Sequence, residues 1–159
     1  MKVLIVSDTH GHNRNFEETL EKVGPIDALI HCGDVEGQED YIRALVGAPT
    51  YIVSGNNDYF SSLDREMEFE LAGRKILLTH GHSYGVAMGN ERILEEGRAR
   101  HVDMVMFGHT HRPCLEQYDD ITILNPGSLS YPRQHGRRPS FMIMESDKSD
   151  NLHYTTKFL

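Results

Sequence analysis

Asp8 and His10, Asp34, Asn56, His80, and the pair His109 and His111 are the residues of this chain best suited to chemistry: each offers a lone pair to a cation and follows closely on an apolar run. The runs are Val3 to Val6, Ala28 to Ile30, Tyr51 to Val53, Ile76 to Leu78 and Met104 to Phe107, and every polar turn after them contains glycine. In an open α/β sheet, ligands bind outside the carboxyl ends of the strands, so residues far apart in sequence can converge there. Carboxylate and imidazole donors without thiolate suit divalent Mn, Fe, Co, Ni or Zn. Seven side chains exceed the need of one ion; with one carboxylate shared, they fit two ions that keep positions open for water and substrate. In Asp8-Thr9-His10 and His109-Thr110-His111, an extended dipeptide step would turn both side chains to the same side.

These residues need strands behind them. The five runs lack polar alternation, the pattern of strands covered on both faces. Between them, Phe16, Leu20 and Val23 recur at helical spacing behind Asn13 as a candidate N-cap and stop at Gly24-Pro25, and Tyr41, Ile42, Leu45 and Val46 mark a second amphipathic helix. Strand, polar turn and helix therefore alternate, which favours right-handed βαβ units and a parallel core sheet. Phe69 and Leu71 facing Ile76 to Leu78 predict a hairpin, and a helix is expected from about Asn90. The remainder reads as antiparallel strands at Leu115 to Tyr118, Ile121 to Leu124, Phe141 to Met144 and Leu152 to Phe158, with Asn125-Pro126-Gly127 as one of the turns.

At 159 residues the length suits one domain, residues 1–159, with 38% hydrophobic and 25% charged residues placing it among globular chains. The net charge of -8 argues against stable nucleic-acid binding, which rests on Lys and Arg neutralising a polyanion. A small phosphorylated substrate stays compatible, because bound metal inverts the local sign. Two cysteines, Cys32 and Cys114, are too few for a disulfide framework. With no signal-peptide pattern at the start and no apolar stretch of membrane-spanning length, a cytoplasmic location without membrane association is the expectation.

Asp8-Thr9-His10, Gly33-Asp34, Gly55-Asn56-Asn57-Asp58, His80 and Gly108-His109-Thr110-His111 together resemble the calcineurin-like metallophosphoesterase signature, in order and over nearly the whole chain. The short length and the LTHGH and NPGS stretches resemble its compact YfcE-type phosphodiesterase group, to which the retromer subunit Vps29 is also similar. The resemblance implies an αββα sandwich of two mixed sheets flanked by helices. It assigns Asp8, His10 and His111 to one metal, Asn56, His80 and His109 to the other, and Asp34 to both, with Mn first among the cofactors and Ni, Fe, Co or Zn as alternatives. It further implies in-line attack on phosphorus by a metal-bridging hydroxide, no covalent intermediate, and a homodimer. A Vps29-like metal-binding scaffold without turnover is the rival reading, and a single structural metal with a closed shell is a third.

The pattern departs from larger relatives at Asn57, where many carry a His that contacts phosphate and protonates the leaving group. An amide can hydrogen-bond a phosphate oxygen but cannot act as a general acid at neutral pH. His82 is the preferred substitute donor, with His12 or a metal-bound water as others. Asp58 is read as an imidazole partner or a helix cap, and Asn125, in Asn125-Pro126-Gly127-Ser128, as a phosphate contact or a plain turn residue. Ser7 and Thr9 are read as structural. The loop bearing Arg133, His135, Arg137 and Arg138 reads as a solvated basic surface in preference to a site for an anionic substrate tail, and His31, His101 and His153 read as structural or surface residues.

Overall fold

The computed structural model describes residues 1–159. In chain order the elements are β1 (Lys2–Val6), α1 (Arg14–Val23), β2 (Ala28–His31), α2 (Glu39–Val46), β3 (Thr50–Ile52), β4 (Glu66–Leu71), β5 (Arg74–Thr79), α3 (Glu91–Ala99), β6 (Met104–Met106), β7 (Pro113–Gln117), β8 (Thr122–Pro126), β9 (Ser140–Ser146) and β10 (Leu152–Phe158). The strands form two five-stranded sheets, ordered β10-β9-β1-β2-β3 and β4-β5-β6-β8-β7. In the first, β1, β2 and β3 run parallel, as the βαβ reading requires, and β9 joins β1 antiparallel.

Alternation along the strands explains the layers. Successive side chains of a strand point to opposite faces, so Val3 and Ile5 of β1 enter a core between the two sheets with Ile76, Leu78, Met104 and Met106. Leu4 and Val6 face the other way, onto Phe16 of α1 and Ile42 of α2. Leu77 and Val105 of the second sheet likewise meet Ile93 of α3. Helices, sheet, sheet, helix is the αββα sandwich. Strands buried on both faces need apolar residues at every position, which is why their sequences read as unbroken runs.

The structure corrects three local expectations. Asn13 does not cap α1 through its side chain; its Nδ2 donates to Gln38 Oε1 at 2.8 Å, tying the starts of α1 and α2 together. Asn125 and Pro126 continue β8 instead of turning, and the bend comes at Gly127, whose φ is 81°. The second half is not wholly antiparallel, since β8 pairs parallel with β6. Periodicity identifies a strand but not its partner. No helix is long and apolar enough to cross a membrane.

Candidate metal centre

The carboxyl ends of β1, β2, β3, β5 and β6 meet, and with them the polar turns. Backbone bonds lock the first two turns together, Asp8 N to Gly33 O at 3.0 Å and His10 N to Asp34 O at 2.9 Å. The Asp58 carboxylate accepts from the amides of Asp34, Glu36 and Gly55 at 2.9, 2.6 and 2.7 Å, clamping the third turn to the second. This corrects the expectation for Asp58: it neither supports an imidazole nor caps a helix but holds two loops in register.

Donor atoms of Asp8, His10, Asp34 and His111 all lie within 4.8 Å of one another. Beside them, Asn56 Oδ1 lies 3.1 Å from His80 Nε2 and 2.9 Å from His109 Nδ1. Asp34 stands between the two groups, its Oδ2 3.7 Å from His10 Nε2 and 3.5 Å from His80 Nε2. All seven side chains proposed from the sequence are therefore brought together.

Their surroundings argue for cations among them. His10 Nδ1 lies 2.7 Å from Glu36 Oε1, His80 Nδ1 2.7 Å from Cys32 O and His111 Nδ1 2.7 Å from Tyr131 O. Each of these acceptors takes a hydrogen bond from Nδ1 and so turns Nε2 toward the site, the arrangement metal-ligating imidazoles use. The Nε2 atoms face other potential ligands: His10 Nε2 lies 3.3 Å from His111 Nε2, and His80 Nε2 3.1 Å from Asn56 Oδ1. Asp8 Oδ1, buried and without a hydrogen-bond partner, is 3.0 Å from His111 Nε2. Carboxylate and imidazole atoms clustered at this spacing, with Asp8 Oδ1 lacking a hydrogen-bond partner, make a donor set that fits divalent ions. Asp34 is supplied in ionised form: burial alone would raise its pKa, but the adjacent His80 and the hydrogen bonds from Asn57 hold it well below the usual carboxylate range.

The turns are not extended. Asp8, His10, Asp34, His109 and His111 have φ of 54°, 48°, 56°, 68° and 56°, so the extended-dipeptide reading of Asp8-Thr9-His10 and His109-Thr110-His111 is replaced by left-handed turns. Each such residue costs about 1–2 kcal/mol in non-glycine form. Strain of this kind persists where surrounding contacts over-determine it, typically at functional sites.

Two glycines allow the approach. A Cβ at Gly108 would fall 2.1 Å from Ser7 Oγ and 2.9 Å from Asp8 Oδ2, and one at Gly55 would fall 2.1 Å from Asp34 Oδ1 and 2.6 Å from Asp34 N. Gly55→Ala must therefore displace Asp34. The expected result, read by equilibrium dialysis with metal analysis, is a loss of about 10–100-fold in metal affinity, the usual effect of disturbing the support of a ligand; unchanged affinity would show that the close packing is dispensable.

The other sequence candidates separate. Asn57 donates through both its backbone N and its Nδ2 to Asp34, at 2.9 and 2.8 Å, so its amide positions that carboxylate. His82 is exposed in a single 3-10 turn, its ring 5.5 Å from that of His80 and 6.1 Å from that of His109. Burial and the neighbouring His80 lower its pKa. His12 Nε2 lies 2.8 Å from Tyr131 Oη. Asn125 is fully buried and donates to Gly108 O at 2.7 Å and Thr110 Oγ1 at 3.0 Å while accepting from Gly127 N. It shapes the loop bearing His109 and His111 and is closed to phosphate. Glu36 and Tyr131, which orient His10 and His111, were not foreseen; a carbonyl contact such as Tyr131 O leaves no trace in residue type.

His31, fully buried behind the site, bridges the first two turns: its Nδ1 accepts from Gly33 N at 3.2 Å, and its Nε2 lies 3.0 Å from Thr9 Oγ1. Burial pushes its pKa from 6.5 down to about 4, outweighing the attraction of Asp8 and Asp58. The native protein thus keeps this ring neutral while the unfolded chain takes up a proton, so stability is complete above pH 6.5 and is lost as pH falls toward 4. That shift corresponds to about 3 kcal/mol. Urea unfolding of metal-stripped protein at pH 7 and pH 4.5 should show a smaller stability loss for His31→Asn than for the wild type; equal losses would mean that His31 contributes nothing to the pH dependence.

Residues 1–149 match the sequence model of the calcineurin-like phosphoesterase superfamily domain. The chain is 33% identical over 149 residues to the probable metallophosphoesterase YsnB of Bacillus subtilis, covering 91% of this chain and 83% of that protein. It is 31% identical over 148 residues to the phosphodiesterase MJ0936 of Methanocaldococcus jannaschii, covering 80% and 83%. Among solved structures, a predicted phosphoesterase from Streptococcus pneumoniae superposes with a TM-score of 0.82 at 29% identity over 99% of this chain and 88% of that one. Vps29 of Entamoeba histolytica, solved in complex with zinc, superposes with a TM-score of 0.77 at 25% identity over 99% of both chains.

Proposed function

The chain belongs to the calcineurin-like phosphoesterase superfamily, and on that premise we propose that residues 1–159 form one hydrolase domain, a metal-dependent phosphodiesterase that uses two divalent ions on a small phosphorylated substrate. The observation that carries this reading is the convergence of the seven side chains, with donor atoms of Asp8, His10, Asp34 and His111 within 4.8 Å of one another and Asn56 Oδ1 beside His80 Nε2 and His109 Nδ1. Asp8, His10 and His111 are the residues assigned to one ion, Asn56, His80 and His109 to the other, and Asp34 to both.

When bound, the ions supply Lewis acidity, lowering the pKa of water and offsetting charge on the phosphoryl oxygens. The chain's own groups prepare for that. Glu36, Cys32 O and Tyr131 O hold three imidazoles in the tautomer that donates through Nε2, and Asn57 fixes both oxygens of Asp34. His82, at the rim, is the side chain we assign to protonate the leaving oxygen; because its pKa is lowered, the protonated fraction shrinks as pH rises through the acid side of neutrality. Among metals, Mn is our first choice, with Ni, Fe, Co and Zn also matching nitrogen and oxygen donors. Both cysteines are free, in keeping with the cytoplasm as the compartment we propose.

A scaffold of the Vps29 kind can share this fold, and metal binding alone does not separate the two readings. Turnover does. The test is hydrolysis of an aryl phosphodiester and an aryl phosphomonoester by chelator-stripped protein before and after addition of Mn. The expected result is metal-dependent release of the phenol with the diester preferred; absence of turnover on both esters at every metal tried would refute the hydrolase reading.

A further inference from the structure

Two cavities open beside the metal centre and share Arg112 and Arg133. One, of about 600 Å³, is bounded by His10, His111, Tyr131 and Arg137 as well. The other, of about 480 Å³, reaches from His109 and Thr110 to Phe107 and Met88. No carboxylate lines either one. On another flank, Glu36, Glu39 and Asp58 line the adjoining cavity, so the charge around the centre is strongly one-sided.

The arginines are built into the ligand loops. Arg112 directly follows His111, and Arg133 N donates to His111 O at 2.9 Å while Tyr131 O holds the His111 ring. Two guanidiniums elsewhere are neutralised, Arg98 by Asp120 and Arg100 by Glu66, and Arg138 donates to Leu159 O. Arg112, Arg133 and Arg137 form no ion pair in a chain with 24 acidic residues and a net charge of -8. Arg133, Arg137 and Arg138 are all exposed, as the solvated basic surface expected for this loop requires, and Arg138 packs over Phe158. Unpaired like charges gathered at one cavity repel each other and are relieved by an anion. Guanidinium is the side chain whose planar donors match phosphate and carboxylate oxygens.

We propose that the physiological substrate carries a second anionic group beside the phosphoester that is cleaved, and that Arg112 and Arg133, with Arg137 at the edge, bind that group. The inference rests on the phosphodiesterase reading above and narrows its substrate class to small phosphoesters bearing a further phosphate or carboxylate.

The test compares kcat/KM for a plain aryl phosphodiester with that for diesters whose non-leaving arm ends in a phosphate or in a carboxylate. The proteins are the Mn-loaded wild type, the Arg112→Gln/Arg133→Gln double variant, and Arg74→Gln, a charge control at the opposite end of β5. The wild type should prefer an anionic arm by about 10–100-fold, mainly through KM, the range expected for charge-assisted hydrogen bonds. The double variant should lose most of that preference and Arg74→Gln none of it, and added salt should weaken it. The ratio between the two anionic arms distinguishes a phosphate from a carboxylate. A wild-type ratio near one, or a preference that survives in the double variant, overturns the proposal. Calorimetric binding of the anionic-arm diesters to metal-stripped protein gives a readout independent of turnover, and it should weaken in the double variant. If no ester is turned over, the hydrolase reading falls, and that binding difference alone decides the arginine site.

Discussion

Asp34→Asn is expected to lower kcat/KM for an aryl phosphodiester by about a thousandfold, a loss of several kcal/mol of transition-state stabilisation. Asp34 Oδ2 is the carboxylate oxygen placed between the imidazoles of His10 and His80, and the ion pair with His80 together with the two bonds from Asn57 keeps it ionised. The substitution removes the negative charge that both ions share. It also sets an Asn amide against a donor of Asn57, since the backbone N and Nδ2 of Asn57 each need an acceptor. The loop itself should survive, because His10 N to Asp34 O and the amide contacts of Asp58 do not involve the altered side chain. A near-native unfolding midpoint with collapsed turnover is thus the expected pair of results. Activity within tenfold of the wild type would show that Asp34 is not shared between ions.

His80→Ala should have a comparable effect on turnover, about a thousandfold by the same reckoning, with a different signature. It removes one imidazole of the group formed with Asn56 and His109 while leaving Asp8, His10 and His111 intact, so metal analysis should find one ion retained and one lost. The buried carbonyl of Cys32 loses its partner, which costs about 1–3 kcal/mol in the stripped protein. Exogenous imidazole fitting the vacated space should restore part of the activity, an outcome that fold damage alone would not give. Retention of both ions, or loss of both together, would contradict the division of ligands.

Much of this centre is legible in the sequence. The five apolar runs became the strands that carry it because strands buried on both faces leave no polar alternation, and the glycines marked Asp34, Asn56 and His109 because side chains there would collide with their neighbours. What escaped the sequence was pairing and support. β8 beside β6 could not be inferred from β-propensity, and the positive φ of Asp8 and His10 contradicts the extended geometry that alternation suggests. Asn57, Asp58 and Asn125 sit in the right motifs, yet each gives its side chain to neighbouring loops, a commitment that residue type does not disclose. Arg112 was overlooked although it adjoins His111.

Anomalous diffraction from crystals soaked in Mn after chelator stripping would show whether this constellation holds two ions with Asp34 between them. Two anomalous peaks per chain are expected, one among Asp8, His10 and His111 and one among Asn56, His80 and His109, each within bonding distance of Asp34. A single peak, or peaks that leave Asp34 bound to one ion only, would contradict it.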